Sequence, residues 1–157
     1  MPRNEEEEDA TPFQHLISRL NAHDIQRVAS LLTSESDYYF LGNARNKTGS
    51  KRLQKLLGKS DDADALFADS IVRRFYEFMT HKHASYMAVQ GMRVFNLQEK
   101  KMAVWHLIHL HAIHLACDRH GYVALNAIIT NVVSIFNVED VGNRSYLLDI
   151  VAGHTLC

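Results

Sequence analysis

The chain has 157 residues, a formal net charge of −1 and 46% hydrophobic residues, which fits one globular domain with a modest core. No apolar run approaches the ~20 residues that span a bilayer, and the N-terminal "MPRNEEEEDA" has no apolar segment, so we expect no secretory signal. From two cysteines without CxxC spacing we expect no disulfide framework, and the low counts of proline (two) and glycine (seven) favour helices over turn-rich β structure.

The predicted elements begin with an acidic tail at residues 1–10, which we expect to be disordered because like charges dominate it. Residues 11–157 are predicted to form one helical domain. Asp24 is expected to cap the helix that contains "IQRVASLL", and Asn96 and Glu99 resemble a capping box before a later helix. Apolar residues recur at helical spacing, and no segment alternates apolar and polar residues between hairpin turns. The sequence therefore predicts an all-α fold.

Charge is distributed unevenly along the chain. Residues 1–9 carry a net charge of −4, which leaves +3 for the remainder (−1 minus −4). Basic residues concentrate in "RNKTGSKRLQKLLGK", residues 45–59, which contains no acid. Two interpretations of this segment stay open: a solvated helix face, or a patch that faces phosphate groups.

Three segments of the chain can be superimposed on one another. They run from Leu41 to Gly58, from Tyr76 to Arg93 and from Ile113 to Thr130. Their central small residues are Gly49, Ala84 and Gly121, at spacings of 35 and 37 residues. The position two before the small residue is basic in every copy, as Lys47, Lys82 and Arg119. A period in the thirties built from helices is typical of an α-solenoid, in which neighbouring units complete each other's core.

The central nonamers "NKTGSKRLQ", "HKHASYMAV" and "DRHGYVALN" carry a family resemblance. They resemble the Pumilio-type, or PUF, repeat, and most of all the divergent Pumilio homologues of plants. The resemblance implies an α-solenoid of three-helix repeats, an alpha-alpha superhelix. It further implies about three repeats with cores near residues 41–58, 76–93 and 113–130, preceded by an N-terminal cap. The segment from Ser145 to Cys157 would begin a fourth repeat, so the chain is expected to be a shortened member.

By this resemblance, each repeat offers three side chains of one helix to one RNA base. Two of them, four residues apart and so on one side of the helix, read the base edge, and the residue after the first reader stacks on a base. The implied RNA-binding residues are Ser50, Lys51 and Gln54 in the first copy, Ser85, Tyr86 and Val89 in the second, and Tyr122, Val123 and Asn126 in the third.

The three copies differ in how well they suit this chemistry. Ser50 and Gln54 are competent donors and acceptors, and by the resemblance this pair favours adenine. Tyr86 provides a stacking platform, whereas Val89 cannot form a hydrogen bond and Val123 stacks poorly. Because a good bidentate contact contributes ~1–3 kcal/mol, these sites predict an affinity of about 1 μM or weaker, for which ~8 kcal/mol is needed.

Histidines raise the alternative of a metal centre. The stretch "WHLIHLHAIHLACDRH" contains His106, His109, His111 and His114. At 100° per residue these four spread over roughly 200° of a helix, and no two have the i,i+4 spacing of the helical zinc motif. One helix can therefore direct no more than two of them to one ion, and the sequence predicts no metal and no cofactor.

The predicted function is that of a non-enzymatic RNA-binding protein. No P-loop or GxSxG motif is present, and we expect neither a small-molecule substrate nor a membrane partner. The resemblance implies binding to single-stranded RNA in messenger RNA 3′-UTRs, regulation of translation and mRNA stability, and a cytoplasmic location with the nucleus as alternative. The competing hypothesis is a solenoid that binds protein partners and has lost RNA readout.

Overall fold

The computed structural model describes residues 15–132, with only the backbone of residues 131 and 132, and residues 149, 150 and 152 near the C-terminus. Residues 15–19 are helical. The helices that follow are α1 (Ala22–Thr33), α2 (Tyr38–Ala44), α3 (Lys47–Leu56), α4 (Asp61–Arg73), α5 (Phe75–Met79), α6 (Ser85–Val94), α7 (Gln98–Leu110), α8 (Ala112–Ala116) and α9 (Arg119–Val132). The predicted acidic tail and most of the predicted fourth copy lie outside the described residues.

The helices repeat one pattern three times: a long helix, a short helix and a third helix. The first helices stack in chain order, with α1 against α4 and α4 against α7. The third helices stack in the same way, with α3 against α6 and α6 against α9. This two-layer arrangement confirms the all-α solenoid, and it places α3, α6 and α9 side by side. Within the described residues, none of the helices is long and apolar enough to cross a membrane.

Aromatic side chains join neighbouring copies in the core. The ring centroid of Phe40 in α2 lies 5.0 Å from that of Phe67 in α4 and 5.2 Å from that of Phe78 in α5. All three rings are fully buried, as is Trp105 in α7. Buried aromatic pairs at this spacing contribute about 0.5–1.5 kcal/mol beyond the area that they bury, so these rings fix one copy against the next.

Two of the helix starts differ from the sequence prediction. Asn21, not Asp24, occupies the N-cap of α1, and the two side chains form a reciprocal capping box in which Asp24 is the third helical residue. Helix α7 begins after Leu97 without any side-chain cap, so the capping box predicted from Asn96 and Glu99 is wrong. The Asn21 amide decides where α1 begins, and the path of the chain decides where α7 begins. Neither start follows from apolar spacing alone.

A strained turn leads into the first copy. Glu35, Ser36 and Asp37 all have positive φ angles, of 54°, 56° and 65°, a conformation that costs non-glycine residues about 1 kcal/mol or more each. Asp37 is buried and accepts hydrogen bonds from Nε and Nη2 of Arg73, at 3.0 and 2.7 Å. These bonds hold the pKa of Asp37 below its ordinary value. The ion pair therefore anchors the strained turn, and with it α2, to the end of α4.

Candidate nucleic-acid interface

In each copy, one side chain at an equivalent position accepts backbone hydrogen bonds at or just before the start of the third helix, α3, α6 or α9. Asn46 Oδ1 accepts a hydrogen bond from the Gly49 N–H at 3.0 Å. Asp118 Oδ1 accepts from the N–H groups of His120 and Gly121, at 2.9 and 2.8 Å. In the second copy the same position is His81, whose Nδ1 accepts from the N–H groups of His83 and Ala84 at 3.1 and 3.3 Å. One side chain, three residues before the small residue, thus satisfies the start of α3 and α9, whereas in the second copy it satisfies the turn before α6, whose N-cap Ala84 makes no side-chain bond.

The small residue allows a close approach between the short helix and the third helix of a copy. A Cβ on Gly121 would lie 2.7 Å from the carbonyl oxygen of Leu115, and a Cβ on Gly49 would collide with the carbonyl oxygen of Asn43. Both contacts are made six residues back along the chain. The two glycines are therefore required by packing, and they set the direction in which α3 and α9 leave the turn.

Ser50 and Gln54, predicted as the edge readers of the first copy, lie next to each other. Ser50 is only 1% exposed. Its Oγ donates to the carbonyl oxygen of His83 at 2.8 Å and accepts from Nε2 of the half-buried Gln54 at 3.1 Å. Ser50 thus connects the first copy to the turn of the second, a structural role that the sequence analysis did not predict. Its small size at a helix–helix contact is the signal that points to this role.

The readers of the second copy are also largely covered. Ser85 is buried, and its Oγ donates to the carbonyl oxygen of Lys82 at 3.2 Å. Val89 is buried against the core. In the third copy, Tyr122 is half-buried and packs against the core, whereas Asn126 is exposed. The structure therefore leaves Asn126, and in part Gln54, as the edge readers nearest to solvent.

The predicted stackers are the most uniform feature of this surface. Lys51, Tyr86 and Val123 occupy the same position in three adjacent helices, and all three are exposed. Tyr86 is 49% exposed and Val123 is 57% exposed. The structure thus brings them together on one face of the layer α3–α6–α9, one per copy. We call this face the stacker face.

The histidines and the cysteine of the third copy have structural contacts. The His109 ring, through Nδ1, lies 3.1 Å from the carbonyl oxygen of Trp105, and the His111 ring centroid is 5.8 Å from that of Phe75. Cys117 is disulfide-bonded, which the cysteine spacing did not predict. In the part of the chain that the structure describes, no three His, Cys, Asp or Glu side chains are placed to hold a metal ion.

The chain is similar in sequence to several plant proteins. It is 47% identical over 144 residues to Pumilio homolog 18 of Arabidopsis thaliana, 48% identical over 141 residues to putative pumilio homolog 20 and 46% identical over 144 residues to putative pumilio homolog 19 of the same plant. These matches cover 90–92% of this chain and 39–42% of each relative. The chain thus spans about two fifths of the length of the curated relatives that it matches. No protein-family model matches it.

The fold is similar to a solved structure. The chain superimposes with a TM-score of 0.61 on a Puf4 double mutant bound to the Cox17 RNA 3′ UTR recognition sequence, at 15% sequence identity. The superposition covers 76% of this chain and 36% of the Puf4 chain. At this identity the likeness concerns the α-solenoid itself.

Proposed function

Because the chain belongs to the Pumilio (PUF) repeat family, we propose that it binds single-stranded RNA along the layer formed by α3, α6 and α9. The observation that carries this proposal is the stacker face: Lys51, Tyr86 and Val123 are exposed at one position in three adjacent helices. A repeat protein that reads one base per helical unit needs this arrangement. The Pumilio relatives, and the solved PUF structure with its RNA, support the same assignment.

The stacker face suits RNA bases unequally. Tyr86 offers an exposed ring, and base–aromatic stacking contributes about 1–3 kcal/mol per base. Lys51 offers a methylene stem and a cation, and Val123 offers only apolar contact. Gln54 keeps hydrogen-bonding capacity beyond its bond to Ser50, because its amide has a second N–H and an acceptor oxygen. We therefore expect weak binding centred on the first two copies.

The role in the cell follows from the family by extension. As a non-enzymatic RNA-binding chain, it would act on messenger RNA 3′-UTRs and alter translation and stability, in the cytoplasm or the nucleus. The solved Puf4 structure, which holds the Cox17 RNA 3′ UTR recognition sequence, supports the choice of RNA, and the chain spans about two fifths of the length of its Pumilio relatives.

Fluorescence anisotropy with a labelled, adenine-containing single-stranded RNA tests the proposal. Tyr86→Ala should weaken binding by about tenfold, which corresponds to ~1.4 kcal/mol of lost stacking. Tyr76→Ala is the matched control, since Tyr76 in α5 is 48% exposed, as Tyr86 is at 49%, but lies outside the stacker face. No RNA binding by the wild-type chain, or equal losses in the two variants, would refute the proposal.

The second candidate function is a protein-interaction solenoid. It is favoured by the burial of Ser50, Ser85 and Val89, which removes three of the implied base contacts from the surface. Replacing Lys51 and Gln54 together distinguishes the two functions in a crosslinking experiment. Loss of RNA crosslinking supports RNA binding, whereas unchanged crosslinking with retained protein partners supports the solenoid that has lost readout.

A further inference from the structure

We infer that Lys47, Lys82 and Arg119 form a phosphate-binding row that runs along one side of the stacker face; the inference rests on the proposed RNA binding. We call these three residues the basic row. Each of them is exposed, and each stands two residues before the small residue of its copy. The row would contact the sugar–phosphate backbone rather than the bases.

The position of the basic row follows from helical geometry. Each basic residue precedes the stacker of its own copy by four residues, giving the pairs Lys47 with Lys51, Lys82 with Tyr86 and Arg119 with Val123. Residues at i and i+4 lie one above the other on a helix, about 6 Å apart along its axis. Lys82 lies in the turn before α6, where the Ser85 N–H bonds to the His81 carbonyl oxygen at 3.0 Å and the Tyr86 N–H bonds to that of His83 at 3.3 Å. The basic row therefore lies one helical turn from the stackers in the first and third copies, and in the turn that leads to the stacker in the second.

The number of cations matches the number of phosphates that the proposed binding mode requires. A PUF-type solenoid takes one nucleotide per repeat, and each nucleotide brings one phosphate. The basic row supplies one cation per copy, at or just before the start of helices that pack directly against each other. A base placed on a stacker would thus bring its backbone toward the cation one turn away.

Two observations argue against a role in helix stability. Lys47 and Arg119 are the first residues of α3 and α9, where the helix dipole disfavours a positive charge. Some basic side chains elsewhere do pair with a carboxylate: Arg73 pairs with Asp37, and Lys100 pairs with Asp69. Among the described residues, no carboxylate pairs with Lys82 or Arg119. Within residues 15–132, both thus present a charge that no carboxylate compensates beside the proposed RNA path.

Salt dependence tests the basic row, because phosphate contacts release counterions. For single-stranded nucleic acid, the slope of log K against log salt falls by about 0.7 for each phosphate neutralised. The variant Lys82→Gln/Arg119→Gln should therefore flatten the slope by about 1.4. Lys47 is left unchanged, since it already takes part in another interaction. The probe is the same labelled RNA, titrated at several salt concentrations with the full chain.

The matched control is Arg19→Gln/Arg27→Gln, which removes two exposed positive charges from the N-terminal helices. It should keep the wild-type slope, and so should Tyr86→Ala, which lowers the affinity equally at every salt concentration. If RNA binds but the two double variants have equal slopes, the basic row is wrong while RNA binding stands. If the wild-type chain binds no RNA, the proposed function itself fails. Circular dichroism verifies that each variant is folded.

Discussion

The first and third copies begin their exposed helix in one way, and the second copy begins it in another. In the first and third, a glycine follows an amide or carboxylate cap, and α3 and α9 begin two residues before that glycine. In the second, Ala84 takes the place of glycine, His81 takes the place of the cap, and α6 begins one residue after the alanine. In register, the helix of the second copy therefore starts three residues later.

This difference shows that the start of the third helix depends on two positions, the small residue and the side chain three residues before it. The glycine permits contact with a backbone carbonyl of the short helix, so the third helix can start early. An alanine carries the Cβ that this contact excludes. The second copy has a longer turn instead, residues 80–84. The imidazole cap adds a dependence on protonation that the other two copies lack. The second copy is thus the one whose stability should change with pH.

The largest expected effect comes from forcing the first copy to resemble the second. Gly49→Ala should lower the free energy of unfolding by about 1–3 kcal/mol, because its Cβ would collide with the Asn43 carbonyl oxygen. Gly42→Ala is the control: it lies within α2 and a Cβ there meets nothing within 4 Å, so a gain of about 0.5–1 kcal/mol is expected. Urea denaturation measures both, and equal effects would contradict the glycine requirement.

A smaller effect is expected from the protonation of His81. Burial, and then the charges of Arg45, His83 and His120, lower its pKa below the usual value. The folded chain therefore binds fewer protons than the unfolded chain, so the stabilisation is present in full above about pH 6.5 and is lost as the pH falls below that value. The loss should approach about 1 kcal/mol, the usual net contribution of an intramolecular hydrogen bond, because a protonated Nδ1 cannot accept the two N–H bonds of the turn.

His81→Asn provides the comparison for this pH effect, since it copies the cap of the first repeat. The difference in unfolding free energy between the wild-type chain and His81→Asn should change as the pH falls from about 7.5 to about 5. Asp64, whose pKa burial raises to about 6, loses stabilisation as the pH rises, but it contributes equally to both proteins. A difference that stays constant with pH would show that His81 does not act as the cap.

The sequence predicted the repeats better than the surfaces that they expose. The period is visible in the sequence because each copy repeats its own small and basic positions, whereas the predicted N-cap Asp24 and the predicted Asn96–Glu99 capping box are both wrong. The burial of Ser50 and Val89 depends on which neighbouring helix packs against them, and no spacing within one copy contains that information. The same limit explains why Tyr86 and Val123 were placed on the surface only by family resemblance, until the stacking of α3, α6 and α9 gave the reason.

The smallest expected effect comes from two serine hydrogen bonds: the Ser50 bond joins two copies, and the Ser85 bond lies within one copy. Ser50 Oγ donates to the His83 carbonyl oxygen of the next copy, whereas Ser85 Oγ donates to Lys82 in its own turn. Ser50→Ala should cost about 1 kcal/mol of unfolding free energy, because a buried hydrogen bond is lost. Ser85→Ala should lower the free energy of unfolding by less, since the Ser85 bond is a local one within its own turn.

The two serines should also differ in cooperativity. The stability of a solenoid is approximately the sum of the stabilities of its repeats and the contacts between neighbours, and only Ser50 contributes to the second term. Ser50→Ala should therefore broaden the urea transition and lower its slope, while Ser85→Ala shifts the midpoint alone. If both variants keep the wild-type slope, the Ser50 bond does not couple the copies, and the aromatic contacts of Phe40 with Phe67 and Phe78 must hold them together.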